Sequence, residues 1–264
     1  MTLSKLLRLI GLPEEAAEGV FAFAERGMEG MEPLIAALTD PLHAERAERE
    51  LEERLRGERW GVLTCLLLAA ARAHEEYVRL GIPEKVYEDT MRCFTRFMKE
   101  HRALTGEWGF DRGRWAWRAT ALRLFRIGAL EYELEKGRVS LHIPSDGSLQ
   151  KEAVRDSLHG ARAFLRTYFP AYGEAPFWCS SWLLHPALRE LLNEKSNIVR
   201  FRALFDVQRV DNEDLSYRAF VFRRPDGNVF DYPEETALQR RLKQYLLAGG
   251  RFGSASGVLR EEMI

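Results

Sequence analysis

His142, Cys179 and Ser181 are the side chains of this 264-residue chain whose settings suit proton transfer or nucleophilic attack. His142 lies in an apolar run, VSLHI, that ends at Pro144, and a neutral imidazole there can act as a general base. Cys179 falls mid-way through FWCSSW, where a thiol could attack a carbonyl if a base stood beside it. Ser181, two residues on, could protonate or orient a thiolate, as could Ser196. A structural role competes in each case: a hydrogen-bonded histidine, an inert buried cysteine, a serine that caps a turn. Between them lies the stretch around which the chain is organised, Pro144, Ser145, Asp146, Gly147 and Ser148, directly after Ile143. A strand that ends in a Gly-containing bend and feeds a helix leaves backbone N–H groups aimed at one spot, which attracts anions such as phosphate. Ser145, Asp146 and Ser148 are equally suited to cap that helix.

The flanking elements follow from periodicity. Residues 1–127 read as successive helices, with 60–80 apolar nearly all round and therefore central, and 112–127 an aromatic stripe flanked by arginines. At Gly128 the period drops from 3.6 to 2. Residues 129–135 and 139–143 flank Lys136-Gly137-Arg138 as a hairpin, and a helix spans 148–169. A buried strand at 177–182, a short helix at 186–192, a strand at 204–210 with its antiparallel partner at 217–223, and a helix at 236–247 complete the order, and 252–259 could add an edge strand. The expected architecture is α+β: an N-terminal helical bundle, residues 1–127, followed by a mixed β-sheet domain flanked by helices, residues 128–264.

Composition narrows the function classes. Thirty-nine basic residues balance 40 acidic ones for a net charge of −1, which argues against a nucleic-acid binder. Three cysteines, far apart and odd in number, suit reduced thiols in the cytoplasm, and neither they nor His74 and His101 show metal-ligand spacing. The apolar run at 61–71 stops at Arg72, short of the ~20 residues that span a bilayer. Trp178 and Trp182 fill the core or stack on a ligand.

The order from residue 129 is similar to the GNAT acyltransferase fold. The segments GIPEKVYEDTMRCFTRFMKEH, RLFRIGALEYE, LHIPSDGSL, FWCSSWLLHPALRELL, SNIVRF and TALQRRLKQYLLAGG, within a resemblance that spans residues 60–258, resemble a two-domain bacterial family of acyltransferase domain-containing proteins with a GNAT-like N-terminal helical part and a GNAT-like C-terminal part. That resemblance implies a co-substrate, acetyl-CoA or another acyl-CoA, with its pyrophosphate held at Ser145, Asp146, Gly147 and Ser148 and its thioester carbonyl met by backbone N–H groups of Leu141, His142 and Ile143. It implies direct attack by an amine of a small molecule or peptide, with a general base taking the proton and an acid protonating the thiolate. A bend with one glycine and one acid, and no tyrosine in the short helix at 185–192, leave open the alternative of a degenerate module that only binds a ligand or partner.

Overall fold

A computed structural model describes residues 1–263. By contacts the chain divides into two compact units, Met1–Ile127 with Glu131–Leu134, and Gly128–Leu130 with the chain from Glu135 on.

The first unit is helical. Its helices are α1 (Leu3–Ile10), α2 (Glu14–Arg26), α3 (Glu32–Ala37), α4 (Ala44–Arg54), α5 (Gly61–Leu80), α6 (Glu84–Met91), α7 (Cys93–Thr105) and α8 (Gly113–Thr120). α5 is central, as its sequence predicts: Leu63, Cys65, Leu66, Leu67, Ala69, Ala70 and Tyr77 are all buried. It ends where Gly81 takes φ 70° and its N–H returns to Tyr77 and Val78, the left-handed cap that glycine favours. Buried hydroxyls tie neighbouring helices together: Tyr87 Oη donates to the Ala70 carbonyl at 2.9 Å, and Thr95 Oγ1 to that of Ile10 at 2.9 Å.

The expected helix across 112–127 stops early. α8 ends at Thr120, Leu122 adopts φ 52°, and Leu124–Ile127 is strand β1, followed by β2 (Leu130–Glu135). A non-glycine residue in left-handed conformation breaks the helix, and the buried Leu124 and Phe125 continue as strand. Two arginines of this stretch are engaged within the fold. Arg118 pairs with Glu133 at 2.7 Å while its guanidinium lies over the rings of Trp115 and Trp117, and Arg123 donates to the Leu134 carbonyl. Arg96 of α7 pairs with Glu131 at 2.7 Å, both nearly solvent-free. His74 and His101, expected on the surface, are half-buried beside Glu84 and Asp111 respectively.

In the second unit come β3 (Arg138–His142), α9 (Lys151–Tyr168), β4 (Phe177–Ser181), α10 (Leu188–Leu191), α11 (Asn197–Arg202), β5 (Phe205–Asp211), α12 (Ala237–Leu247) and β6 (Ser254–Leu259). The sheet has six strands in the order β1-β2-β3-β4-β6-β5. β3 and β4 are parallel, joined by the α9 crossover, whereas β6 runs antiparallel to both β4 and β5. Two expectations change here. The segment at 217–223 is not the partner of β5 but a π-helical turn, Arg218–Phe222, whose Val221 and Phe222 join Tyr217, Tyr232, Leu242 and Phe252 in a satellite core. The partner is β6, and it is an interior strand rather than an edge. Gly257 within it and Gly253 just before it allow the close fit: a Cβ on Gly257 would lie 2.4 Å from the Asp206 carbonyl oxygen, and one on Gly253 2.0 Å from that of Asp211. α12 is set by a complete capping box between Thr236 and Gln239.

Candidate active site

The decisive feature is where the parallel ladder stops. β3 and β4 pair at Val139↔Phe177, Ser140↔Trp178 and Leu141↔Cys179, and no further. β4 nevertheless keeps pairing with β6 through Ser180↔Ser256 and Ser181↔Ala255. β3 therefore leaves β4 at His142, and Pro144 carries the chain away towards α9. A wedge at the C-terminal ends of parallel strands, at the foot of a helix N-terminus, is the place where α/β sheets hold ligands.

The pleat sorts the predicted residues. Side chains alternate along a strand and match across a ladder pair, so Val139, Leu141, Phe177 and Cys179 share one face, and Ser140, His142, Trp178 and Ser180 the other. The first face is the dry one: Arg162 of α9 lies over the Phe177 ring at 4.1 Å, and Cys179 is fully buried, its thiol pKa driven far up by desolvation. Ser181 follows Cys179 by two residues and accepts the Leu183 N–H at 3.2 Å, capping a short 3-10 turn. The register thus puts Cys179 and Ser181 on the sheet face opposite to that of His142. Ser196 caps α11 in the same manner.

The second face holds His142 and a pair of hydroxyls. His142 is half-buried at the end of β3. Ser256 Oγ donates to Ser180 Oγ at 2.8 Å, with Ser180 exposed. Trp178 is half-buried with the Arg138 guanidinium 5.2 Å from its ring centre. Neither Ser180 nor Ser256 is marked by sequence reasoning, because only the register reveals that they share a face with His142.

The bend differs from expectation in its length. α9 begins at Lys151, three residues later than predicted, and its N-cap, Gln150, makes no side-chain bond. The N-cap position thus falls to none of Ser145, Asp146 or Ser148. Ser148 Oγ instead accepts the Gln150 N–H at 3.2 Å, and the Gly147 N–H closes a turn on the Pro144 carbonyl at 2.8 Å. The first-turn amides of Lys151, Glu152 and Ala153 lie where a helix has no internal acceptors, and exposed Lys151 adds a positive charge there. Gly147 is needed for close approach rather than for φ, since a Cβ there would fall 2.5 Å from the Ala129 carbonyl oxygen. Gly147→Ala is expected to lower stability by about 1–3 kcal/mol, read as a reduced urea midpoint. An unaltered midpoint would mean that the bend gives way freely.

After β4, His185 is buried, accepts the Ala187 N–H at Nδ1 (3.3 Å) and donates from Nε2 to Asn212 Oδ1 at 2.9 Å. Burial holds its pKa down, and the ring ties the turn after β4 to the turn after β5. Among the described residues no group of His, Cys, Asp and Glu is arranged to hold a metal, and no helix is long and apolar enough to cross a membrane.

Residues 124–259 match the GNAT-like C-terminal domain, and residues 1–122 the N-acyltransferase N-terminal domain. The chain belongs to this two-domain acyltransferase family. Three solved acyltransferase structures resemble it at 25% identity over 97% of this chain. One is a mutant in complex with octanoyl-CoA (TM-score 0.85, 87% of that chain), one holds decanoyl-CoA and teicoplanin (0.83, 86%), and one holds CoA and 10C-teicoplanin (0.84, 87%). No curated protein matches significantly. In this acyltransferase the opened β3–β4 ladder, the Lys151 end of α9 and the hydroxyl pair Ser180–Ser256 all belong to the GNAT-like part.

Proposed function

We propose that this acyltransferase moves an acyl group from acyl-CoA to an amine of a small-molecule or peptide acceptor, in the cytoplasm. The observation that carries the reading is the early end of the β3–β4 ladder at Leu141↔Cys179, beside the N-terminus of α9. The wedge admits the pantetheine arm, the first-turn amides and Lys151 meet the pyrophosphate with Ser145, Asp146, Gly147 and Ser148 shaping the approach, and Ile143 lines the entrance. The acceptor nitrogen attacks the thioester carbonyl, the C–N bond forms, and the C–S bond breaks as the tetrahedral intermediate collapses. His142 takes the proton released by the amine. Ser180 accepts from Ser256 and so keeps its own hydrogen available for the departing thiolate, the role the sequence reading assigns to Ser181. The neighbours' octanoyl and decanoyl donors support a medium-chain acyl group, their glycopeptide supports an amine on a peptide-like scaffold, and three unpaired, buried cysteines support a reducing compartment.

Thermal unfolding with acetyl-, octanoyl- and decanoyl-CoA tests the donor. A ligand at a hundred times its Kd adds about 2.7 kcal/mol to stability, so the midpoint should climb by several degrees with the preferred chain length. If no CoA thioester at millimolar concentration shifts it, the alternative of a degenerate GNAT-like binding module takes over.

A further inference from the structure

Between β5 and α12 the chain makes a long excursion, residues 212–236, that the reaction described above does not use. Its starting point is set by the sheet. Val210 and Asp211 of β5 pair with Ala255 and Ser254 of β6, and Ala255 pairs in turn with Ser181 at the end of β4. The excursion thus leaves the sheet at the edge where the β3–β4 wedge opens, and the His185–Asn212 bond pins its first residue there.

Within it two donors have no acceptor. Arg218 Nε and Tyr232 Oη are shielded from solvent and make no hydrogen bond. Tyr232 is only 2% exposed, stacked on Phe222 at 4.3 Å. Burial raises the pKa of its hydroxyl, and the Arg218 guanidinium is near enough to oppose that rise. Native proteins seldom leave neighbouring donors dry, and what satisfies an arginine edge together with a phenol is an anionic oxygen. Beside this pair in sequence stand two aromatic rings exposed to solvent, Phe220 at 59% and Phe230 at 71%. The Arg218–Phe222 turn is π-helical and ends at Arg223 with φ 53°, an irregularity often found where a chain binds something.

We propose that Arg218 and Tyr232 form an oxyanion subsite for the acyl acceptor, which carries a carboxylate next to an apolar or aromatic group. The assignment rests on the acyl-transfer reading, because it is the acceptor that must reach the wedge from this edge. The other source of an anionic oxygen is the 3′-phosphate of CoA. That moiety belongs with the donor at the α9 side of β3, three strand positions away from β5 in the sheet order, and the acceptor's carboxylate is therefore favoured.

Calorimetric titration of the whole protein with phenylacetate and with its neutral counterpart phenylacetamide reads the subsite without any acyl donor. Phenylacetate should bind at least about tenfold more tightly than the amide, and Tyr232→Phe and Arg218→Gln should each erase about tenfold of that preference. Tyr232→Phe should keep the wild-type unfolding midpoint, since the hydroxyl removed has no partner to lose. Both variants should bind octanoyl-CoA as the wild type does. Equal binding of the two probes, or phenylacetate affinity untouched by Tyr232→Phe, would overturn the subsite and leave an ordered water as the missing acceptor. Loss of affinity for octanoyl-CoA but not for its 3′-dephospho form would assign the pair to the donor instead and overturn the acceptor role. Should no acetyl-, octanoyl- or decanoyl-CoA bind any of the proteins, the acyl-transfer reading fails by itself, while the phenylacetate comparison still decides whether the oxyanion subsite exists.

Discussion

Replacing His142 with alanine is expected to lower kcat by about 10²–10⁴-fold, the range for loss of a positioned general base, with octanoyl-CoA binding and the unfolding midpoint close to wild type. The expectation follows from placement. His142 is the last residue of β3, beyond the final β3–β4 pair, half-buried, and on the sheet face that carries Ser180 and Trp178. Removing its ring takes nothing from the dry face formed by Val139, Leu141, Phe177 and Cys179, so the core should survive. His142→Gln keeps a hydrogen-bonding side chain without a basic nitrogen, and it should be as slow as the alanine variant. If glutamine instead restores turnover, or if alanine collapses the fold, the imidazole is a structural group and the proton leaves by another route.

The second large effect lies in the helical unit, at Glu48. This residue has no solvent exposure, and neither carboxyl oxygen makes a hydrogen bond. α4 passes α8 so closely that a Cβ on Gly113 would lie 2.4 Å from Glu48 Oε1. Burial, reinforced by the Glu52 carboxylate one turn on, raises the Glu48 pKa to about 8, with Arg114 of α8 and Arg49 opposing. The folded chain therefore holds a proton that the unfolded chain releases near the ordinary value of 4.5. Its contribution to stability is complete below pH 4.5 and declines as pH rises towards 8, by at most about 1.4 kcal/mol per pH unit. Glu48→Gln, neutral at every pH and of the same size, should flatten that decline. It should make the protein more stable than wild type at pH 8, by about 2–3 kcal/mol, with little difference at pH 4.5. Urea unfolding of both proteins at pH 5, 6.5 and 8 is the measurement. A glutamine variant less stable than wild type at pH 8 would show that the carboxylate is ionised and paired in the fold.

The misplaced elements share one cause. The 112–127 stretch has helical spacing throughout, yet it changes to strand after Leu122, because the buried Leu124 and Phe125 belong to the sheet. The 217–223 stretch alternates like a strand, but Tyr217, Val221 and Phe222 are used four and five apart against Tyr232, Leu242 and Phe252. In both places the local pattern fits two structures, and packing against distant residues selects one. The site residues divide in the same way. The bend after Ile143 and the strand carrying His142 are visible from Pro144, Gly147 and the alternation before them. Which residues share its face is not, since a one-residue change of register exchanges the faces of a strand, and it is register that puts Cys179 and Ser181 on one face and His142, Ser180 and Ser256 on the other.

By itself the sequence determined the helices of the first half with α5 at their centre, the hairpin turn at Gly137, a bend at 144–148 between strand and helix, the helix stop at Gly81, the Ser196 cap and the start of α12 after Thr236. Each is local, written in residues within a few positions of one another, where backbone sterics and short hydrogen bonds decide. Only the tertiary structure decided that β6 enters between β4 and β5, that β3 and β4 part after Leu141 and Cys179, and which hydroxyls share a face with His142. Those outcomes depend on which strands meet and in what register, a competition among pairings 38 to 80 residues apart that no local pattern encodes.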